Sequence, residues 1–130
     1  MLARLDIRNF TIVESLSVEF APGFTTITGE TGAGKSIMLD ALSLVLGDRA
    51  NSDLIRPGAD SADLCAEFDI SRIEEATAWL GAHDLLDPDE AGTCLLRRAL
   101  SADGRSRAFI NGRPVTLQDV RRLADHLIDI

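Results

Sequence analysis

The chain has 130 residues, a formal charge of −8 and 45% hydrophobic content, enough for one domain with a core and too apolar for a disordered tail. The acidity excludes a surface that serves throughout as a nucleic-acid platform, so a DNA contact needs a local basic patch. No apolar run is long enough to span a bilayer, and Arg4, Asp6 and Arg8 stand where a signal peptide would need an apolar core.

Ala3, Leu5 and Ile7 alternate with charged residues, the pattern of a half-buried strand. Asn9-Phe10-Thr11 turns the chain. Leu16, Val18 and Phe20 then alternate with polar residues as a second strand, and Pro22-Gly23 turns into a third, Phe24-Thr25-Thr26-Ile27-Thr28. Two strands with short connections ahead of the third predict an antiparallel layer.

Gly29-Glu30-Thr31-Gly32-Ala33-Gly34-Lys35-Ser36 matches G-x-x-x-x-G-K-[ST] at every fixed position. In such a loop, glycines let backbone N–H groups turn inward around phosphate oxygens. Lys35 places an ammonium on the β- and γ-phosphates of ATP, and the Ser36 hydroxyl is the candidate Mg²⁺ ligand. The helix that follows aims its N-terminal dipole at the same phosphates. It reads as residues 37–46, stopped by Gly47, with a narrow polar stripe of Ser36, Asp40 and Ser43; the rest is apolar, which predicts near enclosure. The bland alternative is a chance glycine-rich turn, but the strand and helix stand on the correct sides of the loop. Lys35 is also the single lysine, against twelve arginines.

Residues 48–60 read as a loop carrying Arg49 and Arg56. Ala62, Leu64, Ala66, Phe68 and Ile70 form the cleanest alternation in the chain, a strand with one wet face. Ser71-Arg72-Ile73-Glu74 has the form of a capping box, opening a helix whose inner face is Ile73, Ala76, Trp79 and Leu80. Residues 83–92 read as an acidic loop. Residues 94–100 and 105–110 read as strands joined around Asp103-Gly104, and Asn111-Gly112 as a hairpin turn to a short edge segment containing Pro114. Thr116 is the expected N-cap of a last helix buried through Leu117, Val120, Leu123, Ala124 and Leu127. Cys65 and Cys94 fit no metal spacing and read as reduced thiols of a cytoplasmic protein.

Arg97, Arg98, Arg105, Arg107 and Arg113 crowd the hairpin region, making it the candidate basic surface; Arg105 and Arg107 share a face if their strand is regular. They could contact DNA phosphates without reading sequence, or simply pair with the chain's many carboxylates. No catalytic residue is expected within the chain. Leu127-Ile128-Asp129 is a poor Walker B strand, because its apolar run is short, begins inside a helix pattern and is followed by Ile130 instead of a glutamate. No guanine-reading motif is present, and Gln118 lies in the expected last helix. His83 and His126 are isolated and need no catalytic role. The chain holds half of a nucleotide site.

Leu5-Asp6-Ile7-Arg8-Asn9-Phe10, the phosphate loop, Leu46-Gly47-Asp48-Arg49-Ala50 and residues 104–112 together resemble the start of the RecN family of bacterial DNA repair proteins, across essentially the whole chain. The resemblance implies an SMC-like ABC-type ATPase head, of the α/β class with a mixed sheet, an antiparallel β layer and flanking helices. Residues 1–130 would be a single domain, the N-terminal half of that head; the C-terminal half would bring the ABC signature, Walker B and catalytic Glu, across a coiled coil. The residues from Leu127 to Ile130 would form a strand leading to a Mg²⁺-contacting glutamine. Implied partners are ATP with Mg²⁺, DNA, the C-terminal half of the same head and a second head in an ATP-bound homodimer, with no membrane, in a cytoplasmic, nucleoid-associated protein. It also implies that Asn9 lies near the adenine or ribose, where its turn would fall if the first two strands flank the loop strand; the alternative is a plain polar turn. Arg56 follows the helix end at a spacing like that of an SMC-head arginine near the nucleotide and coupled to DNA; the alternative is a solvated loop charge.

The leading functional expectation is an ATP-binding lobe of a protein in recombinational repair of double-strand breaks. Its competitors are a chromosome-tethering SMC head and a small P-loop kinase; the sequence after Phe68 offers the latter no obvious lid.

Overall fold

The computed structural model describes residues 1–21, 24–29 and 34–127, with residues 21, 24–29, 34 and 35 described through their backbone alone. Chain order runs β1 (Leu2–Phe10), β2 (Val13–Ala21), β3 (Phe24–Gly29), α1 (Gly34–Val45), a 3₁₀ turn (Ser52–Leu54), β4 (Ser61–Asp69), α2 (Glu74–Ala82), β5 (Thr93–Ser101), β6 (Ser106–Ile110), β7 (Arg113–Val115) and α3 (Leu117–Leu127). The strands form one seven-stranded sheet in the order β3-β2-β1-β4-β5-β6-β7. Every pairing between these strands is antiparallel, so the sheet is more uniform than the mixed one expected.

The period-two alternation fixes which face is dry. Leu5, Ile7, Leu16, Val18, Leu64, Ala66, Phe68, Leu96, Leu100, Ala108 and Ile110 are buried on one side. Upon them, α1 packs against β1, β4 and β5, α3 packs on β6, and α2 packs against α3. The other side is a polar mesh. Arg4 bonds Asp6 at 3.0 Å and reaches Glu19 at 3.6 Å, Ser17 donates to Asp6 at 2.6 Å, and Arg97 clasps Asp63 at 2.6 Å.

The turns follow their residue chemistry. Asn111 and Gly112 have φ of 49° and 82°, the left-handed pair that an Asn-Gly hairpin turn supplies. Thr116 caps α3, its hydroxyl accepting from the Asp119 amide at 3.1 Å.

Three local expectations are corrected. The capping box of residues 71–74 does not form: α2 starts at Glu74 with Ile73 at the N-cap and no side-chain cap. Ser71 is taken instead by Asp69, whose carboxylate accepts from both its hydroxyl, at 2.6 Å, and its amide, at 3.0 Å. These bonds hold Asp69 below the usual carboxylate pKa. Leu127 belongs to α3, not to a strand, and Ile128, Asp129 and Ile130 lie outside the described residues. Lastly, α1 is not enclosed. Ile37, Ala41, Leu44 and Val45 face the sheet, but Ser36, Leu39, Asp40 and Ser43 form an open stripe along which Leu39 is 60% exposed. A helix laid on one sheet face buries one side, and here nothing described covers the other.

Candidate nucleotide site and adjoining surfaces

β3 ends at Gly29 and α1 begins at Gly34, so a strand enters the phosphate-loop motif and a helix leaves it. Glu30, Thr31, Gly32 and Ala33 lie outside the described residues. Lys35 is placed in the first turn of α1 by its backbone, and Ser36, next in the helix, is exposed.

The sheet register brings the Asn9 turn to the same end. Ile7 pairs with Leu16, and Leu16 with Gly29, so the β1–β2 turn lies beyond the strand end that delivers the loop. Asn9 and Thr11 both have left-handed backbones, φ 51° and 53°. For β-branched Thr11 that is a strained conformation of the kind that clusters at functional sites. Its hydroxyl is buried with no hydrogen-bond partner among the described residues.

The strained turn is held by the loop after α1. The Thr11 amide donates to the Leu54 carbonyl at 2.7 Å, the Arg56 amide donates to the Asn9 carbonyl at 2.8 Å, and Phe10 bridges to Ile55. Asn9 and Arg56, 47 positions apart, are thereby fixed side by side, a juxtaposition that sequence spacing alone does not give.

The arginine cluster divides. Arg98 does not belong to the basic surface: it is 1% exposed, on the dry face of β5 between Leu96 and Leu100. Its Nε donates to the Ser106 hydroxyl at 2.8 Å, and its Nη1 donates to the carbonyls of Leu44 and Asp48, both at 2.7 Å. Burial lowers its pKa, assisted by nearby Arg121 and opposed by Asp48. Arg121 itself donates to the Gly47 carbonyl at 2.9 Å. Two arginines from distant elements thus bind the C-terminal end of α1. Sequence reading missed this, though a signal existed: Arg98 has the same strand parity as Cys94, Leu96 and Leu100.

On the wet face, Arg97 lies 5.0 Å and Arg107 5.9 Å from the Phe109 ring, within cation–π range. Arg105 lies ahead of β6, not in it, and turns back onto Asp103 at 2.8 Å. Arg113 donates to the Asp84 carbonyl at 3.0 Å. The surface left to Arg105 and Arg107 is therefore smaller than five clustered arginines suggest. Of the two histidines, His83 stacks on Trp79 with centroids 3.9 Å apart, and His126 lies in the last turn of α3.

Comparison with known proteins gives this arrangement a lineage. The chain is 46% identical over 130 residues to the DNA repair protein RecN of Haemophilus influenzae, matching all of this chain and 23% of the relative. It is 49% identical to RecN of Xylella fastidiosa Temecula1, again over its whole length and 23% of the relative, and 41% identical to RecN of Bacillus subtilis over 22% of the relative. The chain therefore spans under a quarter of the length of the curated relatives it matches. Among solved structures, one described under ATP-driven dimerization and DNA-stimulated activation of SMC ATPases superposes with a TM-score of 0.70 at 26% identity, over 97% of this chain and 78% of that one. The Smc head domain with coiled coil and joint from Pyrococcus yayanosii gives 0.68 at 25% identity, over 98% of this chain and 25% of that one. The sequence model of the RecF/RecN/SMC N terminal domain matches residues 1–129, and the chain belongs to that family, an ATPase family whose head fold it shares.

Proposed function

We propose that the chain is the N-terminal, ATP-binding lobe of a RecN-like protein of recombinational double-strand-break repair, in which ATP binding and hydrolysis control head dimerisation and DNA engagement. The observation that carries this reading is the phosphate-loop motif set between β3 and α1, in a chain alike to RecN proteins along its whole length. In this reading the backbone amides of residues 29–34 cradle the phosphates, Lys35 neutralises them, and Ser36 holds Mg²⁺. A Mg²⁺ ion held there would supply positive charge to offset that of the phosphates. Asn9 and Arg56 flank the adenine and ribose end, a role favoured by their shared fastening and by the strained turn. Arg105 and Arg107 are the proposed DNA contacts. The C-terminal half of the same head covers the open stripe of α1, which accounts for an exposed Leu39 on the phosphate-loop helix. The protein acts in the cytoplasm on the nucleoid; among the described residues no helix is long and apolar enough to cross a membrane.

Residues 1–130 bind Mg-ATP without turning it over, because in-line attack needs an oriented water and a second charge clamp from elsewhere. Fluorescent-ATP titration of the full-length protein against Lys35→Ala tests the reading. Loss of most affinity is expected, since the phosphates lose a charge partner; equal binding by the two proteins would overturn it.

A further inference from the structure

We propose that Arg98 is a positioning residue of the nucleotide site: it locks the C-terminal end of α1 to the β5–β6 hairpin, and so sets where the other end of that helix meets the phosphates. The inference rests on the nucleotide-binding reading above.

α1 closes with a Schellman motif, the Gly47 amide donating to Leu44 at 3.2 Å and the Asp48 amide to Ser43 at 3.1 Å. Arg98 then takes the Leu44 and Asp48 carbonyls, and Arg121 takes that of Gly47. Through Nε, Arg98 is tied to Ser106, between the two proposed DNA-contacting arginines. One buried guanidinium thus joins the phosphate-loop helix to the hairpin.

The chemistry is costly unless it does more than fill space. Among the described residues Arg98 forms no ion pair; its charge is met by the Leu44 carbonyl at the negative pole of the α1 macrodipole, by the Asp48 carbonyl just beyond the helix, and by one hydroxyl. An apolar side chain of similar volume would often serve stability as well or better. What it would not supply is a fixed axial seat. Along its axis a helix of 12 residues, about 18 Å long, is stiff, so slack at one end becomes misplacement at the other. Phosphate-binding geometry tolerates little of that.

The test uses full-length protein in the same fluorescent-ATP titration, with the thermal midpoint measured for each variant. Ser106→Ala removes one hydrogen bond at an exposed position; it should fold and bind ATP about fivefold more weakly. Arg98→Met, which keeps volume and loses every donor, should weaken binding by at least about tenfold, with Arg98→Lys in between. Leu80→Ala is the stability control, a core change in α2, which packs on α3. It should keep ATP affinity within about twofold even where its midpoint falls further than that of Arg98→Met. Affinity within twofold of wild type for Ser106→Ala and Arg98→Met would overturn the proposal, as would equal losses in Leu80→Ala at matched midpoint. Should Arg98→Met not fold, Ser106→Ala decides. Lys35→Ala in the same series separates the two ideas: if it binds like wild type, the phosphate site itself is misassigned; if it alone loses binding, only the role of Arg98 falls.

Discussion

Arg97 and Arg98 are adjacent in sequence and sit in different solvents. Arg97 faces water on the outer side of β5, clasps Asp63 and stacks toward Phe109. Arg98 points inward, gives its donors to helix-end carbonyls and a hydroxyl, and is 1% exposed. Nothing about the residue type separates them; one step of strand parity does. An arginine cluster in sequence is therefore not yet a basic surface, because a strand divides its members between two media.

The sharpest way to break this contrast is truncation. Arg98→Ala removes the buried bond to the Leu44 carbonyl and the bond to Asp48 and leaves a void under α1, so it should cost about 2–4 kcal/mol in unfolding free energy. Arg97→Ala removes an exposed ion pair and should cost less than about 1 kcal/mol, with the smaller loss shrinking further in high salt. Denaturant titration of both variants checks the pair. Equal costs would mean that burial does not distinguish them.

Gly47→Ala addresses the same anchorage from the helix side and should have an intermediate effect. Gly47 has φ 113°, and an added Cβ would sit 2.6 Å from the Arg121 Cγ. Strained backbone and a displaced arginine together should cost about 1–3 kcal/mol. Combined with Arg98→Ala the effect should be less than additive, since both loosen one helix end. Strict additivity in a double-mutant cycle would show that Arg98 and Arg121 act on α1 independently.

The two ends of α1 also explain what could be read without the fold. At the N-terminal end the order of elements was legible, because the loop motif requires a strand before it and a helix after it, and β3 ends at Gly29 while α1 begins at Gly34. Gly47 as the helix stop was legible because a glycine takes the left-handed backbone that closes a helix, here φ 113°. The strands were legible by alternation, β4 most of all, with each of Ala62, Leu64, Ala66 and Phe68 buried as its period required. What escaped were long-range choices. Arg98 meets Leu44 across 54 positions, and Asn9 meets Arg56 across a loop. The capping box at residues 71–74 failed because Asp69, two residues upstream, competes for Ser71. The open side of α1 was missed because apolar content shows what a helix can bury, not whether a covering element lies within the same chain.

The cysteines give the gentlest version of the inside–outside contrast. Cys65 stands on the wet face of β4, opposite Arg97, and Cys94 lies buried on the dry face of β5, opposite Phe68. Burial pushes Cys65 up to about 11, with Asp6 and Asp63 adding to the shift and Arg97 opposing it; burial alone pushes Cys94 to about 12. Both thiols therefore stay protonated at pH 8, where a free cysteine is partly thiolate. Native labelling by a disulfide reagent at pH 8 should be at least about tenfold slower than in denaturant for both, with Cys65 ahead of Cys94 because it is partly exposed. Asp63→Asn should speed Cys65 only slightly. It removes one repelling carboxylate, but it also frees Arg97 to lie nearer the thiol, so both changes lower the same pKa, while the larger barrier, burial, is untouched. Fast labelling of Cys65 in the native protein would mean that the wet face of β4 is more open than the Arg97–Asp63 clasp allows.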